Sequence, residues 1–114
     1  MKHNNDFKSD LVVGELKESE LSDILSNSKI EIKYDLMAHK TGNVFVEYES
    51  RGKPSGISKT QSDFYCFAIS RSFVLISLSD LKDRCRRYIG TNRDVRGGDS
   101  NTSKGILLPI KDLI

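Results

Sequence analysis

The reading of this chain turns on Lys29-Ile30-Glu31-Ile32-Lys33-Tyr34-Asp35, a link through Lys40-Thr41-Gly42-Asn43, and Val44-Phe45-Val46-Glu47-Tyr48-Glu49. Successive side chains of a strand point to opposite faces. The first segment therefore predicts a half-buried strand with Ile30, Ile32 and Tyr34 on its apolar face and Glu31, Lys33 and Asp35 on its polar one. The second alternates as well, with Phe45, Glu47 and Glu49 opposing Val44, Val46 and Tyr48. A turn containing Gly42 between two such runs predicts an antiparallel hairpin.

Upstream, Met1 to Lys8 is polar and reads as a disordered tail, and Ser9 or Asp10 can cap a helix carrying Leu11, Val12, Glu15 and Leu16. Leu21, Ile24 and Leu25 give a second helical face off the first stripe. The spacing predicts a break near Ser19 and an end at Asn27-Ser28. Downstream, Arg51 to Ile57 contains Gly52, Pro54 and Gly56 and reads as a loop. A short helix opened by Ser58 or Thr60 is expected through Phe64, Tyr65 and Phe67.

The unbroken apolar run Phe73 to Leu78 predicts a central strand covered on both faces. Ser79 is expected to cap a helix that turns Leu81, Cys85, Tyr88 and Ile89 inward and Lys82, Arg84, Arg86 and Arg87 toward solvent, ending at Gly90. Thr91 to Lys104, around Gly97-Gly98-Asp99, reads as a loop, and Ile106 to Ile110 as a last strand held to an edge by Pro109. The order predicts a single α/β domain over residues 9–114, a mixed β-sheet flanked by helices.

With 114 residues, 37% hydrophobic and 30% charged, the chain has the composition of one folded domain. No apolar run approaches the ~20 residues of a membrane span, and no signal-peptide core opens the sequence. A cytoplasmic protein without a membrane partner is expected. Cys66 and Cys85 lack a CxxC spacing and read as buried thiols. Residues 1–50 hold six Lys/Arg against ten Asp/Glu, and residues 51–114 twelve against six. An acidic half followed by a basic one suits carboxylates that hold a cation beside a surface for phosphates.

Metal-assisted phosphodiester cleavage needs hard oxygen ligands, a nucleophilic water and a positive group near the phosphate. Asp35 and Glu47, on the paired strands expected above, can converge on one cation, and Glu15 on the first helix can reach the same place. Other chemistries lack support. His3 and His39 have neither a triad context nor metal-pair spacing, and no glycine fingerprint marks a nucleotide cofactor.

A helix bearing Gly14-Glu15, a strand ending in Asp35, and Val46-Glu47-Tyr48-Glu49 about a dozen residues later, then strand and helix, resemble the PD-(D/E)XK nuclease core shared by archaeal-type Holliday junction resolvases. The stretch Glu47-Tyr48-Glu49-Ser50-Arg51-Gly52-Lys53-Pro54-Ser55-Gly56-Ile57, with Thr60 and Asp63-Phe64-Tyr65, is similar to small phage-encoded proteins assigned to that superfamily. The likeness covers roughly residues 8–110. It implies a restriction-endonuclease-like core, a metal-dependent endonuclease acting on DNA (branched or junction DNA included), and Mg²⁺ or Mn²⁺ as cofactor. It also implies Asp35 and Glu47 as metal ligands, with the carbonyl of Tyr48 and the carboxylate of Glu15 beside them, and the host cytoplasm as the location of a phage product.

The chain departs from the family pattern at Glu49, where that pattern has lysine. A carboxylate cannot do the work of an ammonium that stabilises developing negative charge. Lys53 and Lys59 are the replacements the sequence offers for the catalytic cation, with Lys33 of the acid-x-lysine triplet Glu31-Ile32-Lys33 as a further candidate. Arg51 and Lys53, with Arg93, Arg96 and Lys104, are the expected contacts to nucleic acid. A domain this small covers little duplex, which suggests a homodimer. The alternative reading is a nucleic-acid-binding or regulatory module that keeps the nuclease fold without cleavage.

Overall fold

Asp35 does not lead directly into a hairpin, and the rest of the topology follows from that. In the structure, a computed structural model that describes residues 17–114, the strand β1 (Ile30–Tyr34) is followed by an Asp35 turn and by one turn of helix, α2 (Ala38–Thr41). Gly42, at φ +75°, closes that helix by donating its N–H to the Ala38 carbonyl at 2.8 Å. Its left-handed backbone serves a helix C-cap here rather than a hairpin turn. The eight residues from Asp35 to Gly42 exceed the two to five typical of hairpin loops, so β2 (Asn43–Ser50) departs into another sheet.

Two sheets result. The first is mixed, in the order β1-β4-β5, with β4 (Phe64–Ile69) parallel to β1 and antiparallel to β5 (Ser72–Ser77). The second is antiparallel, in the order β3-β2-β7-β6, formed by β3 (Lys53–Pro54), β2, β7 (Ser103–Pro109) and β6 (Asp94–Gly97). The expected β1–β2 hairpin and the expected single mixed sheet are thus corrected to two sheets. The α/β class stands, as one domain of mixed and antiparallel sheets flanked by helices.

Several element assignments are corrected with it. Residues 64–69 are a strand and not a helix, because the apolar run Phe64 to Ile69 pairs on both sides. It is this strand, and not β5, that lies at the centre of its sheet. Residues 94–97 form β6 within the expected loop, and β7 is an inner strand whose final residue is Pro109, at a strand end where no ladder is interrupted. Helix α1, described over residues 17–27, runs through Ser19 without a break. Helix α3 (Leu78–Arg86) is capped by the Ser77 hydroxyl, which accepts from Asp80 N at 3.2 Å, rather than by Ser79.

The core lies between the inner face of the three-stranded sheet, one face of the four-stranded sheet, and α3. Val44, Val46, Ile106 and Leu108 meet Tyr65, Phe67, Ile69 and Ile76, with Leu81 and Cys85 inserted from α3. Tyr65 and Phe67 pack edge to face at 5.9 Å. The faces of β1 are the reverse of the sequence expectation. Glu31 and Lys33 share the inner face with Tyr65 and Phe67, whereas Ile32 and Tyr34 are 60% and 69% exposed. Among the described residues no helix is long and apolar enough to cross a membrane.

Candidate functional site

The open edge of β2 meets the end of β1, and the chemistry-bearing side chains collect along that seam. Asp35 Oδ1 accepts from Met37 N at 3.0 Å, a local turn bond that holds the carboxylate against its own backbone. Its Oδ2 accepts from Phe45 N at 3.3 Å, satisfying a donor of β2. Glu47 lies two residues along from Phe45 on the same strand, with Oε2 accepting from the Ser55 hydroxyl at 2.9 Å. Each carboxylate oxygen used this way retains acceptor capacity for a further ligand.

Glu47 and Lys33 of β1 line one cavity of about 230 Å³, together with Tyr65, Phe67, Phe45, Val46 and Gly56. Lys33 Nζ bonds Glu31 Oε2 at 2.5 Å and lies 5.2 Å from the centre of the Tyr65 ring. The Lys33 ammonium holds the Glu31 carboxyl below its ordinary range against the opposing effect of burial, and the Thr60 hydroxyl, 2.9 Å from Oε1, adds a smaller lowering. Tyr65 is 2% exposed, and burial, with Glu31 and Glu47 nearby, pushes its phenol up to about 12. Its hydroxyl has no hydrogen-bond partner among the described residues, since the neighbouring Thr60 hydroxyl is engaged by Glu31 and Ser62. A neutral, donor-competent phenol is therefore buried beside the carboxylates.

The loop after β2 reaches this seam because of Gly56. At φ +50° it lies so close to the Glu47 carbonyl that an added Cβ would fall well inside van der Waals contact with that oxygen. Ser55 N donates to the Tyr48 carbonyl at 3.1 Å, which pins the loop and occupies one lone pair of that oxygen.

A β-bulge between Glu47 and Glu49 separates two residues that strict alternation would place on one face. Glu47 pairs with Gly105 but Glu49 pairs with Lys104, the adjacent residue of β7, so the two glutamates point to opposite faces. Glu49 binds Lys104 at 3.6 Å. Beside that pair, Tyr48 donates its hydroxyl to Asp94 Oδ1 at 2.6 Å. The bond to Asp94 and burial push the Tyr48 phenol up to about 12, and the same bond with the Gly90 N–H holds Asp94 below its ordinary range. Glu49 thus faces away from the Asp35–Glu47 seam.

The remaining candidates are dispersed. Arg51 (φ +53°), Lys53 and Lys59 are exposed on the loop beside Glu47. Arg96 lies near Lys104 by the Tyr48–Asp94 pair. Arg93 is a structural residue, donating to Asn43 Oδ1 at 2.8 Å and to the Leu107 carbonyl at 3.0 Å and lying over the Tyr88 ring. Glu15 lies outside the described residues. Among the described residues no three His, Cys, Asp or Glu side chains converge. Sequence reasoning missed Tyr65, Ser55 and Thr60. The uninterrupted run Phe64 to Ile69, the same kind of signal as Phe73 to Leu78, could have placed Tyr65 on an inner strand. The chain matches no protein-family model, no curated protein and no solved structure with which it was compared.

Proposed function

We propose that this chain is a divalent-metal-dependent endonuclease that hydrolyses DNA phosphodiester bonds, built on a restriction-endonuclease-like core. The observation that carries the reading is the shared cavity of Glu47 and Lys33, with Asp35 bonded to the same strand two residues before Glu47. Asp35 and Glu47 would hold the ion, joined by Glu15 and the Tyr48 carbonyl. A two-carboxylate donor set fits Mg²⁺, which ordinarily takes one or two carboxylates and fills its other positions with water and phosphate oxygens. The bound ion would supply a water of lowered pKa and neutralise phosphate charge.

The chain's own groups do the rest. Lys33, held by Glu31 and the Tyr65 ring, places an ammonium where negative charge develops on the phosphate, the role that Glu49 cannot fill. The buried Tyr65 forms part of the wall of the same cavity. Arg51, Lys53 and Lys59 draw the DNA backbone to the Gly56 loop, and Arg96 and Lys104 extend the basic surface.

The test is incubation of the full chain with supercoiled, single-stranded and four-way-junction DNA in Mg²⁺, Mn²⁺ or EDTA. Metal-dependent cleavage that is lost in Asp35→Ala and Glu47→Ala supports the reading. Cleavage that survives both substitutions overturns it. The Glu49–Lys104 ion pair favours a second reading, a DNA-binding module that does not cut. Binding that persists in EDTA, with no cleavage in any metal, selects that one.

A further inference from the structure

The outer face of the three-stranded sheet carries two bare rings. The ladders set Ile32, Cys66 and Leu75 in one row across β1, β4 and β5, and Tyr34, Ala68 and Phe73 in the next. Phe73 is 73% exposed and Tyr34 69%, while Ala68 between them is buried. Neither row contains a charged residue. Apolar side chains scattered singly over a surface need no explanation, but two large rings left in water in one row of a sheet mark a binding surface.

What lies at that end of the sheet is the second observation. β1 and β4 run parallel, so Asp35, which follows Tyr34 directly, and the Ser70–Arg71 turn, which follows β4, leave the sheet at the same end. Lys40 comes next along the chain, on α2. Lys40 and Arg71 are exposed, and neither is ion-paired among the described residues. The Asp35 carboxylate is held by the backbone N–H groups of Met37 and Phe45. Two unpaired cations therefore stand at the end of a charge-free surface that presents rings.

We infer that this face binds single-stranded DNA, with bases stacked on Tyr34 and Phe73 and phosphates met by Arg71 and Lys40. The choice of occupant rests on the endonuclease reading above, because Tyr34 is the chain neighbour of the proposed metal ligand Asp35, and it narrows that enzyme's substrate to DNA with an unpaired segment. Rings of this kind take any base, since every base has a π-face, and cations beside them track the backbone. A duplex has no free base faces to offer, its bases being stacked about 3.4 Å apart along each strand. Tyr34 and Phe73 stand on strands two ladder spacings apart, about 10 Å. That separation suits bases splayed out of a stack, which an unpaired strand supplies.

Fluorescence anisotropy of the full chain in EDTA separates binding from cleavage. The probes are a labelled oligothymidylate, an abasic strand with the same phosphates, and a duplex of equal length. The oligothymidylate should bind about tenfold or more tightly than either of the others. Tyr34→Ala and Phe73→Ala should each weaken it about tenfold, Tyr34→Phe and Phe73→Tyr, which keep a ring, should bind as the wild type does, and Ile89→Ala, at an exposed position beyond α3, should change nothing. Equal affinity for intact and abasic strands, or indifference to the loss of both rings, overturns the inference. Metal-dependent cleavage of duplex with no retention of the single strand also overturns it and leaves the endonuclease standing. Ring-dependent binding of the single strand without cleavage in any metal upholds this surface and rejects the endonuclease.

Discussion

Lys33 and Glu47, contributed by strands of two different sheets, line a single cavity although β1 and β2 share no ladder. The cation of the candidate site is thereby separated from its carboxylate in topology while adjacent in space. Replacing Lys33 by Met should lower metal-dependent cleavage by about 10²-fold or more, with DNA affinity nearly intact, and Lys53→Ala should show the reverse pattern. Single-turnover cleavage and filter binding, run on both variants, separate the two roles.

Glu31 has its folded-state pKa held below the ordinary 4.5, chiefly by Lys33. The stability it contributes is therefore present above its unfolded pKa and is lost as pH falls through the lower folded value. Its side chain is 38% exposed, so the contribution is discounted to about 0.5 kcal/mol or less. Urea unfolding of the wild type and Glu31→Gln should differ at pH 7 and converge as pH falls through the folded-state value of Glu31; a gap that widens in acid would contradict this.

For Tyr48 and Asp94 the signs are opposite. The Tyr48 phenol is raised to about 12, so its contribution is complete below its unfolded pKa and disappears as pH climbs toward 12, whereas the Asp94 contribution, from a lowered pKa, disappears in acid. Tyr48→Phe should cost about 1 kcal/mol at neutral pH and raise the Asp94 pKa, which carboxyl-carbon NMR titration reads directly.

Gly56→Ala should combine a strained backbone with a clash against the Glu47 carbonyl. A loss of about 1–3 kcal/mol in unfolding free energy is expected, together with impaired cleavage, because the Ser55 bond to Glu47 depends on the same loop. Ser55→Ala, which leaves the backbone free of strain, should affect cleavage more than stability.

Arg93→Ala should destabilise the fold by about 1–3 kcal/mol, since the Leu107 carbonyl and Asn43 lose a charged donor. It should leave the salt dependence of DNA binding unaltered. Arg51→Ala and Lys53→Ala should each reduce the slope of log affinity against log salt by about 1. Equal slopes for all three variants would reject this division of the basic residues.

The alternation of β2 and the Leu81–Cys85 stripe of α3 were legible in the sequence because each buries one side only, whereas Ile89, expected inward, lies beyond the end of α3 and is 54% exposed. That of β1 was misread in orientation: a period of two says that the faces differ, not which is inside, and here Glu31 and Lys33 turn inward while Ile32 and Tyr34 remain outside. The partner of β1 was not legible at all. Its strand lies some thirty residues on in β4, and Gly42, which reads as a hairpin turn, is spent on closing α2. The separation of Glu49 from Glu47 was hidden because a bulge leaves no mark in a pattern of alternating residues. Asp35 and Glu47 were chosen from a pairing that does not exist, yet the seam still sets Asp35 against the strand of Glu47, through Phe45 rather than through a shared ladder.

The long partnership of β2 with β7 has a consequence for biosynthesis. Apart from the short β3, residues 43–50 find their neighbouring strand at residues 103–109, so during synthesis the segment bearing Glu47 must wait for a stretch more than fifty residues further on before its main ladder can form. Non-local pairings of this kind are slow to form and leave strands exposed meanwhile. A nascent chain stalled or cut before Ser103 would carry every acidic side chain of the seam and none of the strand on which β2 is laid down.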